Sequence, residues 1–138
     1  MLKTQGIAHF SLPVSDMARS IAFYSEIVGL ELVFGTKDLA FFRSGKDHVV
    51  LALTDSVPKL KNARNVHHAF IVESRDFDSS LAFLASKGVT VVDEDARPEG
   101  SVFAGRSAYF EDPDGNMLEI IDLAATAFRP KPAPVLPL

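Results

Sequence analysis

The chain has 138 residues, a formal net charge of -4, no cysteine, and an apolar share of 47%, enough for one ordinary domain or two small packed modules. The mixed, slightly acidic charge pattern lacks the basic stripe of a nucleic-acid binder, and the missing cysteines exclude disulfides, thiolate nucleophiles and Cys-based zinc or iron–sulfur sites. No apolar run reaches the length of a membrane span and Met1 to Ala8 has no apolar h-region, so a cytoplasmic protein with no membrane partner is expected.

In chain order, Ile7 to Val14 alternates as a strand, with Phe10, Leu12 and Val14 on one face and His9, Ser11 and Pro13 on the other. Ser15-Asp16 offers an N-cap for a helix from Met17 to Val28, which Gly29 ends. Strands follow at Leu30 to Phe34, Leu39 to Arg43 and His48 to Leu53. The segment Thr54 to Asn65, with Pro58, Lys59, Lys61 and Arg64, reads as a solvated connection.

The second half repeats the order. Val66 to Val72 is a strand; Ser74 or Asp76 caps a helix running to Lys87; Gly88 ends it. Strands follow at Val89 to Asp93, Ser107 to Phe110 and Met117 to Asp122, with a long polar loop expected from Asp93 to Arg106. His9 and His67 each stand five residues before a valine, Val14 and Val72, in matching strands. Shared element order, histidine position and glycine position indicate an internal duplication. The expected fold is therefore α+β, with two βαβββ modules forming a curved, barrel-like cleft. Module one covers about 5–55, a linker 56–65, module two about 66–123, and a Pro-rich tail 124–138. Four prolines from Phe128 on keep that tail from being a regular helix.

The most informative stretch is Tyr109-Phe110-Glu111-Asp112-Pro113-Asp114-Gly115-Asn116-Met117-Leu118-Glu119. An aromatic strand enters an Asp-Pro-Asp-Gly turn and returns as an apolar strand interrupted by Glu119. A buried carboxylate costs several kcal/mol unless a cation or donor compensates it. Strand parity sets His67 with Ala69 and Ile71, opposite His68, and a pseudo-twofold makes His9 the mate of His67. Two imidazoles and one carboxylate facing one concavity form a set that leaves coordination positions open on a divalent metal. Such an ion attracts a substrate offering two oxygens and stabilises an oxyanion. The parity of Tyr109 with Ser107 suggests a phenol facing substrate, as a hydrogen-bond or proton donor; a packing aromatic is the alternative. Arg43 and Arg106 are candidates for binding an anionic substrate, or else solvated charges.

Taken together, His9-Phe10-Ser11-Leu12-Pro13-Val14-Ser15-Asp16, Phe23-Tyr24 with Gly29-Leu30, His67-His68-Ala69-Phe70 and Tyr109 to Glu119 resemble the vicinal oxygen chelate superfamily. That group includes glyoxalase I, fosfomycin-resistance proteins, extradiol dioxygenases and bleomycin-resistance proteins. The resemblance implies metal ligation by His9, His67 and Glu119, with Fe2+ or Mn2+ foremost and Zn2+, Ni2+ or Co2+ as further candidates. It also implies a homodimer, in many members with sites shared between subunits, and a small-molecule substrate. His48 to Leu53 lacks the fourth ligand usual in glyoxalases, and Ser101 to Ala108 lacks the histidine upstream of the extradiol signature. Ser11, Ser107 and Tyr109 match fosfomycin-resistance proteins by type, with Arg97, Arg106 and Arg129 as loose stand-ins for their cationic residues. The leading expectation is a dioxygenase-like oxidoreductase. The alternatives are a lyase or thiol transferase of the glyoxalase or fosfomycin-resistance kind, and a metal-free binding protein.

Overall fold

A computed structural model describes residues 1–61 and 63–123; the expected Pro-rich tail and Arg129 lie outside these residues. Two compact units are present. The first is Met1–Val66 together with Glu111–Met117, and the second is His67–Phe110 with the last strand from Leu118 on.

The first unit contains β1 (Phe10–Val14), α1 (Met17–Glu26), β2 (Glu31–Gly35), β3 (Leu39–Ser44) and β4 (Asp47–Leu53). Their sheet order is β1-β4-β3-β2, with β1 parallel to β4 and the other neighbours antiparallel. Asp16 caps α1 by accepting the Arg19 N–H. Ser20 and Tyr24, four residues apart, form the buried stripe of that helix. They face Leu12, Val14, Ala40, Phe42, Val49 and Leu51, all buried, with the Tyr24 and Phe42 rings 6.2 Å apart. The alternation of β1 thus puts Leu12 and Val14 in the core and leaves Ser11 exposed.

The second unit repeats the plan with β5 (His67–Ile71), α2 (Phe77–Ser86), β6 (Val91–Arg97), β7 (Gly105–Glu111) and β8 (Met117–Ile121), in sheet order β5-β8-β7-β6. Its core gathers Phe70, Phe77, Leu84, Ala108, Phe110, Leu118 and Ile120. Burying each large side chain contributes roughly 1.5–3 kcal/mol.

The duplicated α+β architecture, with one four-stranded sheet in each unit, is as the sequence suggests, with two differences in detail. A 3-10 turn at Ser74–Asp76 leads into α2, and Asp76 sits at the N-cap without a side-chain bond. Half of the expected long loop is strand: β6 runs on to Arg97 and β7 begins at Gly105, so only 98–104 connects them. The cross-strand pairs Asp95 with Ser107 and Arg97 with Gly105 extend the ladder through residues whose polarity hid it.

The Asp-Pro-Asp-Gly turn is tied down by its own carboxylates. Asp112 accepts from the Asp114 N–H, the Asn116 N–H, the Asn116 side-chain amide and, at 2.7 Å, the Tyr24 hydroxyl. Gly115 takes φ +84°, which the turn requires. Asp114 accepts from both the backbone N–H and hydroxyl of Ser15 and pairs with Arg19 at 3.1 Å.

Candidate metal centre

In the second unit α2 covers one face of the sheet, and Arg106 shows which: its guanidinium lies 4.3 Å from the Phe77 ring centroid. Alternation along β7 then sends Ser107 and Tyr109 to the opposite face. Register across to β6 places Asp93, Asp95 and Arg97 on that same face.

His67 from β5 and Glu119 from β8 meet there, with Nε2 2.9 Å from Oε2. Glu119 is 3% exposed. Its Oε1 is buried without a hydrogen-bond partner; the Arg97 guanidinium is a charge neighbour at 3.6 Å. Tyr109 stands edge-on to His67, ring centroids 5.4 Å apart, and is itself buried. Ser107 is fully buried and accepts a hydrogen bond from Arg97.

An acceptor-only oxygen held dry beside an imidazole suits a cation. The donor set of imidazole nitrogen and carboxylate oxygen fits a first-row divalent metal. The residues of this face therefore fit the expected group.

The other expected residues lie as follows. His9 is exposed just before β1, in the first unit, and Ser11 is exposed within β1. Among the described residues no three His, Asp or Glu side chains are gathered closely enough to hold a metal unaided. The second unit brings two of the three expected ligands together. Arg43 is engaged by Glu31 across β2 and β3, with nitrogen–oxygen distances of 2.6 to 3.2 Å. Arg106 is engaged by Asp78 at 2.8 Å and Asp122 at 3.3 Å. Both guanidiniums thus already have carboxylate partners. His68, one residue from His67, has its imidazole held below the usual histidine range, first by burial and then by His67.

Sequence reading placed Arg97 in a loop. It is the last residue of β6 and lies against Ser107 and Glu119. The two-residue spacing of Asp93, Asp95 and Arg97 was the available signal, masked by the charge of the run. The function of Asp112 as acceptor for Tyr24 was likewise invisible, since the residues are 88 positions apart.

The sequence model of the Glyoxalase/Bleomycin resistance protein/Dioxygenase superfamily matches residues 6–120. The chain belongs to that superfamily. Within it, the chain is 34% identical over 119 residues to the glutathione transferase FosA of Serratia marcescens, covering 84% of this chain and 79% of FosA. It is 29% identical over 120 residues to the metallothiol transferase FosB of Staphylococcus haemolyticus, covering 84% and 82%. Among solved superfamily structures, a variant of the fosfomycin resistance protein FosX of Listeria monocytogenes, complexed with Mn(II) and 1S,2S-dihydroxypropylphosphonic acid, superposes with a TM-score of 0.74. That match has 25% identity and covers 91% of this chain and 95% of FosX. Among the described residues no helix is long and apolar enough to cross a membrane.

Proposed function

We propose that this chain is a divalent-metal enzyme that opens a small, oxygen-rich electrophile such as an epoxide with a thiol nucleophile. The observation that carries the reading is the buried Glu119 carboxylate, one oxygen on His67 and the other without a hydrogen bond. His67 and Glu119 would hold the metal. His9 is the proposed third ligand, from the same chain or from a second copy in a homodimer. Mn(II) is the first candidate because the FosX structure carries it.

Bound there, a divalent cation supplies Lewis acidity toward two substrate oxygens. The chain's own side chains do the rest. As the thiol, its proton given up to solvent, forms a carbon–sulfur bond, the carbon–oxygen bond breaks and its electron pair stays on oxygen. The Tyr109 phenol, beside His67, is the proposed donor of a hydrogen bond or proton to that oxygen, regaining any proton it gives from solvent. Ser107 and Ser11 are the proposed polar contacts to substrate. Arg43 would reach an anionic group only after leaving Glu31, and Arg106 lies on the α2 face of β7, opposite Ser107 and Tyr109, so it stands aside from this site.

Two transferases among the relatives support thiol addition over the dioxygenase-like expectation. The test supplies Mn(II)-loaded protein with fosfomycin and a panel of thiols, and in parallel with catechols. Thiol-dependent loss of the epoxide is expected. Oxygen uptake with catechols and an intact epoxide would restore the dioxygenase reading. Binding of a small molecule without turnover or metal would favour a binding protein.

A further inference from the structure

We propose that Arg97 competes with the metal for Glu119 and couples metal occupancy to the 98–104 segment. The proposal rests on the metal reading above. Arg97 is about three-quarters buried and its guanidinium has several partners at once. Nη2 donates to the Ser107 hydroxyl and stands 3.6 Å from Glu119 Oε1. Nε donates to the Phe103 carbonyl at 2.5 Å, and Nη1 stands 3.8 Å from Asp95.

The contact with Glu119 is a charge contact, too long for a good hydrogen bond. It compensates the buried carboxylate in part and leaves Oε1 free to bind something closer. The guanidinium is permanently charged. A divalent cation on Glu119 puts two further positive charges within a few ångströms of it, in surroundings that screen poorly. Either the metal is held less tightly or the guanidinium withdraws.

Withdrawal has a consequence, because the same side chain holds the Phe103 carbonyl. The segment around it has little else apolar to hold it: Val102 is 67% exposed and Phe103 58%. Metal binding thus loosens 98–104, and by linkage a loosened 98–104 favours metal.

The experiment titrates Mn(II) into the full chain, followed by calorimetry and the Mn(II) spin resonance signal, with hydrogen exchange of 98–104 as a second readout. Arg97→Gln removes the charge and should tighten Mn(II) binding on the order of tenfold. Arg97→Lys keeps the charge without the planar fork and should stay within about twofold of the parent. Mn(II) should speed amide exchange in 98–104 of the parent and change it little in either variant. Equal or weaker Mn(II) binding by Arg97→Gln overturns the competition. Exchange in the parent that is unaffected by Mn(II) overturns the coupling. If Arg97→Gln does not fold, Arg97→Lys still decides: weaker or much tighter Mn(II) binding, or a surviving exchange response, counts against the proposal. Failure of the parent itself to bind Mn(II) removes the metal reading and this proposal together, which separates that failure from one confined to Arg97.

Discussion

Nε2 of His67 stands 2.9 Å from Oε2 of Glu119, while the other oxygen of the same carboxylate is buried without a hydrogen bond. A fold optimised only for stability would not keep an ionised group in that state. Glu119→Gln keeps the shape and removes the charge. In the presence of a chelator this variant is expected to be at least as stable as the parent, with a urea midpoint equal or higher. A clear fall in that midpoint would show that Glu119 holds the fold together rather than waiting for a cation.

His68 lies on the face opposite His67 by strand alternation. His68→Ala is therefore expected to leave Mn(II) affinity within about threefold of the parent, whereas loss of a ligand costs far more. Calorimetric titration of both variants compares them directly. If His68→Ala loses metal and His67→Ala keeps it, the parity argued for β5 is wrong.

Tyr24 and Asp112 couple α1 to the turn after β7. Burial, and then the Asp112 carboxylate, push the Tyr24 phenol well above its ordinary range, so it remains a donor at any working pH. Tyr24→Phe removes one donor of the four that Asp112 accepts, at a cost of about 1–2 kcal/mol. Asp112→Ala strands all of them and is expected to cost about 3 kcal/mol or more. Urea unfolding measures both, and equal costs for the two variants would contradict this ordering.

Asp114 gives the fold an acid limit. Burial raises its pKa, but the Ser15 hydroxyl and N–H, then Arg19, outweigh burial and hold the carboxyl below its ordinary 3.8. A carboxyl more acidic in the folded than in the unfolded chain stabilises fully above its unfolded value. That contribution is lost as pH falls through about 4 toward the folded value, where the unfolded chain takes up the proton first. Asp114→Asn should be less stable at neutral pH and show a flatter decline below pH of about 4. Unfolding midpoints across that range check it; parallel curves would assign the acid sensitivity elsewhere.

Much of this was legible in the sequence because the chain states its plan twice. Strand alternation gave the faces of His67, Ser107 and Tyr109, and an apolar strand broken by one carboxylate marked Glu119. What stayed hidden depends on long-range partners. Arg97 read as a loop residue because β6 is charged where other strands are apolar, and its pairing with Gly105 becomes visible only across the ladder. Arg106 was read as an anion binder, but whether it meets Asp78, Asp122 and Phe77 is decided by the packing of α2. Gly105 had no local signal at all. At φ +135° it lies where an added Cβ would collide with the Asp122 carbonyl and stand 2.6 Å from Asp122 Oδ1.

Gly105→Ala is accordingly expected to cost about 3 kcal/mol or more, from both backbone strain and overpacking. Thermal unfolding measures the loss. A near-neutral change would mean that β7 can move away from Asp122 without penalty.

The central claim, a metal held by His67 and Glu119, is tested most directly by Mn(II) titration of chelator-stripped protein beside His67→Ala and Glu119→Gln. The account predicts near-stoichiometric binding by the parent and an affinity lower by about a hundredfold or more in both variants. A parent that takes up no metal, or a Glu119→Gln variant that binds as tightly as the parent, would contradict it.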